Sequence, residues 1–206
     1  MIRLLDALRR ERNGDAAASM RYYGVRYGLN YGVSLPAVRA LARAEGTDPA
    51  FAGYLFAQDV RELKIAALWI ADPAALDAAG AERWAAGLVN SELAAEAALA
   101  LLSRVDDFGP LFAAWTAAER PWPVQYAALL GAARNAGRRT AWLDAAADVV
   151  RRNPENGLLA DAAVAFLAAV AECPQGRDAV VRTVAALGDS AAAEHVREEL
   201  AWRLAE

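Results

Sequence analysis

The sequence predicts an all-α protein, a HEAT-like α-solenoid in which antiparallel helix pairs stack into a superhelix. Three observations predict it. Alanine dominates an apolar fraction of 57%, and alanine is the strongest helix former because it loses no side-chain entropy on folding. No stretch alternates apolar and polar residues with period two, so no half-buried strand is expected. Helix start and stop signals recur every ~12 to 20 residues, and helix pairs at roughly 30 to 40 residues match the period of HEAT-type repeats.

The elements follow in order. A first helix covers about Ile2 to Arg12 and stops at Asn13-Gly14. A second runs from about Asp15 to Tyr27 and breaks in Gly28-Leu29-Asn30-Tyr31-Gly32. Ser34 is the expected N-cap of a third, with Pro36 in its first turn and an end near Gly46. Asp48-Pro49 repeats the start signal, because proline lacks the N–H that a first-turn residue leaves unpaired. Asp59-Val60-Arg61-Glu62 reads as a capping box, an acidic N-cap with Glu three residues on. The helix behind it carries Leu63, Ala66, Ala67 and Ile70 on one face. Asp72-Pro73 opens a short helix, Ser91 caps one through Ser103, Pro123 starts one ending near Gly137, and Thr140 caps one through Arg152. The turn Asn153 to Gly157 precedes a long apolar helix to Cys173-Pro174, and Gly188-Asp189-Ser190 introduces a charged last helix. That makes about a dozen helices with short connections, which favour antiparallel neighbours.

The whole chain, 1–206, is read as one domain, since a solenoid of this length needs no boundary. The single cysteine, Cys173, cannot form an internal disulfide, and no segment reads as a signal peptide or membrane span, so a cytoplasmic protein is expected. A lone cysteine and a lone histidine, His195, make no metal-ligand cluster, and no glycine-rich loop lies between a strand and a helix. No metal and no other cofactor are expected. The net charge of −4 is unevenly spread: residues 1–45 hold eight Arg against four acids. A basic N-terminal part suits phosphate, while the acidic remainder suits a scaffold with a protein partner.

Two segments go beyond generic helix. The first is Met20-Arg21-Tyr22-Tyr23, continuing through Leu29-Asn30-Tyr31-Gly32-Val33-Ser34-Leu35-Pro36 to Arg39. The second is Leu55-Phe56-Ala57-Gln58-Asp59-Val60-Arg61-Glu62, continuing through Lys64 to Ala67-Leu68. Together they resemble the N-terminal half of the DNA alkylation repair family, the AlkD-like HEAT-repeat DNA glycosylases. The resemblance implies a helical solenoid cradling duplex DNA and a cofactor-independent excision of N-alkylated purines. It also implies a site of carboxylate, Arg and Trp, in which the carboxylate stabilises positive charge developing on the sugar.

Carried over position by position, that site is altered. The family's Trp-Trp-Asp-x-x-Asp helix falls near Asn90 to Glu96, where Ala94 and Ala97 take the Asp positions in the gapless placement. Glu92 and Glu96 are the carboxylates nearby and are the catalytic candidates. Tyr126 stands where the family has its Arg, and Phe166 is the aromatic nearest the later Trp position. The expectation is therefore a duplex-DNA binder with altered or lost glycosylase activity. The alternative is a non-catalytic helical scaffold that binds a protein or peptide.

Candidate DNA-binding residues come from interleaved aromatic and basic types, which stack on bases and pair with phosphates. They are Arg21, Arg26, Arg39, Tyr27 and Tyr31 near the N-terminus, with Trp122, Tyr126 and Arg134 further on. Tyr23 and Tyr27, spaced i and i+4, equally suit one packed helix face. Arg134, Arg138 and Arg139 cluster at a helix end, where cations complement the helix dipole. The dispersed Trp residues suit anchors between layers, with Trp122 the best candidate for an exposed site residue.

Overall fold

The computed structural model describes residues 2–76, 78–135 and 139–204. Gly137 and Arg138 lie outside the described residues, as does the side chain of Arg139. Within them the fold is all-α and HEAT-like, with thirteen α-helices and short 3-10 turns. No helix among the described residues is long and apolar enough to cross a membrane. The chain forms two compact units, Met1–Leu101 and Leu102–Glu206.

The first unit holds α1 (Ile2–Arg10), α2 (Gly14–Tyr22), α3 (Leu35–Glu45), α4 (Pro49–Phe56), α5 (Arg61–Ile70), α6 (Ala78–Gly87) and α7 (Ser91–Ala100). At its centre is α5, which packs against α3, α4 and α7. The expected single apolar face of α5 extends almost all round it: Ile65 and Leu68 are buried along with Leu63, Ala66, Ala67 and Ile70. Ser34 and Asp48 cap α3 and α4 as expected, each accepting a backbone N–H of its first turn.

Three expected boundaries shift. α2 ends at Tyr22, not Tyr27, because Gly24 takes φ +85° and closes a Schellman motif. The Val25 N–H donates to the Met20 carbonyl at 2.9 Å, and the Gly24 N–H donates to that of Arg21 at 3.1 Å. Tyr27 is therefore off the helix and shares no helical face with Tyr23. Asn90, not Ser91, caps α7 by accepting the Leu93 N–H. The Asp59 capping box does not form: Val60 is the N-cap and makes no side-chain cap bond. Its Glu62 is drawn instead to the chain crossing above α5, where Leu29 and Val60 form a parallel bridge.

The second unit holds α8 (Gly109–Trp115), α9 (Trp122–Arg134), α10 (Leu143–Arg152), α11 (Gly157–Ala171), α12 (Gly176–Ala185) and α13 (Ala191–Leu204). The apolar α11 is its centre, packed against α9, α10, α12 and α13. Asn156 caps α11 by accepting the Leu159 N–H, and Ser190 accepts the Ala193 N–H at the start of α13. Thr140 caps no α-helix; Arg139–Trp142 is a 3-10 turn leading into α10. Of the Trp residues here, Trp115 is buried and Trp202 is exposed. Trp122 is half-buried.

Candidate functional site

The first turn of α5 carries two opposite charges into the core. Arg61 is 1% exposed and Glu62 is 0% exposed. Burying either alone costs several kcal/mol, on the order of 3–5 for an orphaned partner, so both must be fully paired. They are. Glu62 accepts the backbone N–H of Tyr31 at 3.1 Å and of Val33 at 3.2 Å, and it takes Arg61 Nη1 at 3.0 Å. Thus Glu62 holds the Gly28–Ser34 segment to α5. The segment also needs Gly32, whose φ is +70° and whose missing Cβ would lie 2.0 Å from the Asn13 carbonyl oxygen.

Arg61 reaches further. Its Nε and Nη2 donate to both oxygens of Glu92 on α7, at 2.8 and 2.6 Å, and Nη1 also donates to the Val33 carbonyl at 2.8 Å. The Tyr27 hydroxyl donates to the same Glu92 at 2.7 Å. Burial pushes the Tyr27 phenol up, and the negative Glu92 pushes it further the same way. Burial pulls the Arg61 guanidinium down, but Glu92 and then Glu62 outweigh it and leave it raised.

A turn along α7, Glu96 is buried and equally engaged. It accepts Trp69 Nε1 at 2.9 Å and Arg39 Nε at 3.0 Å, with Arg39 Nη2 on its other oxygen. That bond is the main cause raising the Arg39 guanidinium. Arg43 lies over the Trp69 ring, 4.2 Å from its centre. Glu92 and Arg61 border a cleft of about 450 Å³ that Asn13, Met20, Ser34 and Pro36 also line.

The structure thus places Tyr27 with Glu92 and Arg39 with Glu96, in two polar clusters one turn apart on α7. Tyr31 lies beside the first, its hydroxyl accepting from Arg9 Nε at 3.3 Å. Arg21 in the last turn of α2 and Arg26 in the segment after it stand apart, exposed, with no ion pair among the described residues. In the second unit Trp122 and Tyr126 form an edge-to-face pair, centroids 6.2 Å apart. Burial, then the charge of Asp161, pushes the Tyr126 phenol up. Arg134 is exposed and donates to the Leu130 carbonyl at 3.1 Å, a helix-end role.

Sequence reasoning missed Arg61 and Trp69 as partners of the two carboxylates. The available signal was an Arg-Glu pair opening a helix that is otherwise almost wholly apolar. Charges at such a position must be buried, and buried charges need partners.

Residues 4–153 match the family model described as DNA alkylation repair enzyme. The chain belongs to the DNA alkylation repair family. A solved structure described as a new family related to the HEAT-like repeat DNA glycosylases, with affinity for branched DNA structures, is 17% identical and has a TM-score of 0.72. That likeness, which is one of fold, covers 96% of this chain and 92% of the other. No curated protein matches the chain. In this member of the family, Ala94 and Ala97 are 0% and 1% exposed. The gapless placement thus puts the family's acidic positions in the core, and the α7 carboxylates that reach other polar side chains are Glu92 and Glu96.

Proposed function

We propose that this member of the DNA alkylation repair family binds DNA through the basic surface of its first unit and has lost base excision. One observation carries the second half: each α7 carboxylate is paired through both oxygens with an internal guanidinium. Glu92 is gripped by the fork of Arg61, and Glu96 by that of Arg39. A carboxylate whose two oxygens already face a guanidinium fork has less charge to offer a cation developing on a substrate. Glu92 and Glu96 then act as anchors for α7 and not as catalytic groups.

The first half rests on Arg21 and Arg26, with the exposed Arg3, Arg10 and Arg12 of the same unit. Exposed, unpaired guanidiniums exchange condensed counterions for phosphates. The affinity of the structurally similar protein for branched DNA supports branched DNA as the preferred form. A cytoplasmic setting, where thiols such as Cys173 stay reduced, belongs to the same reading.

The test is a binding series against linear and four-way branched DNA at rising salt, run beside release of 7-methylguanine from alkylated DNA. Salt-sensitive binding, tighter for the branched form, with no base release is the expected result. Release of the methylated base would overturn the loss of excision. Failure to bind any DNA at low salt would overturn the DNA reading and favour the protein-binding scaffold.

A further inference from the structure

The tyrosines at the end of α2 have no internal role. Tyr22 is 84% exposed and Tyr23 is 79% exposed, the most exposed large apolar side chains of the described residues. Their rings stand edge to face, 5.2 Å apart at 86°. The Schellman closure at Gly24 caps the helix beneath them, so the pair stands on a hydrogen-bonded helix end. Tyr27 and Tyr31, a few residues on, are by contrast tied down by hydrogen bonds.

The charges around the pair select its occupant. Arg21 and Arg26 flank it, and no acid occurs between Met20 and Tyr31. Aromatic faces beside free guanidiniums suit nucleic acid, where rings stack on bases and cations meet phosphates. Inside an intact duplex each base is already stacked on its neighbours, so a protein ring gains a partner only where a base is unpaired.

We propose that Tyr22 and Tyr23 form a stacking platform for unpaired bases, such as those at a gap, flap or branch point, with Arg21 and Arg26 holding the adjoining phosphates. This rests on the DNA-binding reading above and names the part of the DNA that is recognised. Nothing covalent is involved.

The experiment uses the full chain and three fluorescent probes: an oligo-dT strand, an intact two-strand duplex, and a duplex with a short gap carrying 2-aminopurine. The Tyr22→Ala/Tyr23→Ala variant is expected to keep its unfolding midpoint, since both side chains are exposed. It should bind the single strand and the gapped duplex at least about tenfold more weakly, as expected for one or two lost stacking contacts. The intact duplex should change less than twofold. Tyr22→Phe/Tyr23→Phe should restore both the affinity and the quenching of 2-aminopurine, because phenylalanine retains the ring face. Equal binding of the single strand by wild type and the Ala variant would overturn the platform while leaving DNA binding standing. An equal loss on all three probes would likewise overturn it and assign the pair to general backbone contact. Absence of wild-type binding to every probe would overturn the DNA reading and this inference with it, leaving the face to a protein partner.

Discussion

Replacing Arg61 with methionine removes the hub of the first unit. Methionine approximates the stem of arginine, so the change deletes the guanidinium with little loss of packing volume. Glu92 loses both of its bonds from the fork, Glu62 loses the countercharge of Arg61, and the buried Val33 carbonyl loses the Arg61 donor. Removing one partner of a buried pair costs about 3–5 kcal/mol. An orphaned carbonyl adds about 1–3 kcal/mol in isolation, which places Arg61→Met near the upper end. Domains are stable by only about 5–15 kcal/mol. The variant is thus expected to sit close to unfolding, with a midpoint lowered by roughly 6–20 °C at about 2–4 °C per kcal/mol.

Urea unfolding followed by far-ultraviolet circular dichroism measures this directly. Arg61→Lys should fall between wild type and Arg61→Met, because an ammonium keeps the charge but not the fork. Adding Glu92→Met to Arg61→Met should recover at least about 1 kcal/mol, since it removes a carboxylate left without its partner. Exposed Arg10→Met, the control, should change stability by less than about 0.5 kcal/mol. A loss below about 1 kcal/mol for Arg61→Met, or no recovery in the double variant, would refute the claim that this cluster holds the unit together.

Other expectations follow from single contacts. Tyr27 has its phenol pushed above the ordinary value of 10.0, so it supplies stability that is full below that pH and lost as pH rises through and above it, by up to about 1.4 kcal/mol per unit. Tyr27→Phe should flatten that alkaline loss in a pH series of unfolding midpoints. Lys64 is pulled below its ordinary value by burial, against the opposing charge of Asp59; Lys64→Met should remove a rise in stability with pH that ends near 10.5. Gly32→Ala forces a Cβ into the Asn13 carbonyl at a positive φ and should cost at least about 2 kcal/mol, read by the same unfolding assay. Arg21→Glu/Arg26→Glu should weaken DNA binding and lower the salt slope by about two phosphate contacts without changing the midpoint.

The helices were legible because they depend on local chemistry. Ser34-x-Pro36 and Asp48-Pro49 carry their own caps, and the apolar run 158–171 reads as a long apolar helix, which the structure places at the centre of the second unit. What failed was chemistry decided by tertiary neighbours. Asp59 and Glu62 have the spacing of a capping box, yet two unpaired amides of the crossing segment, at Tyr31 and Val33, and the Arg61 guanidinium compete for Glu62. The run Arg21 to Tyr27 has helical spacing throughout, but Gly24 ends the helix earlier at little steric cost. The resemblance put the family's acidic positions on Ala94 and Ala97, which the structure buries on α7. Only the burial of Ala94 and Ala97 shows which residues of α7 reach other polar groups.

Glu92 and Glu96 are like charges at i and i+4, an arrangement that destabilises a bare helix. α7 tolerates it because each carboxylate receives its own guanidinium from a different helix, Arg61 from α5 and Arg39 from α3. Sliding α7 by one turn would offer each carboxylate to the wrong partner or to none, so the pairs fix the register of three helices at once. A catalytic carboxylate needs the reverse arrangement, an oxygen kept free for the substrate by a fold that is stable without it. Each oxygen engaged by a guanidinium is to that extent withdrawn from a substrate. In the proposed reading, the features that make Glu92 and Glu96 effective structural anchors are the same ones that remove them from chemistry, and DNA recognition is left to the surface where guanidiniums and rings are unengaged.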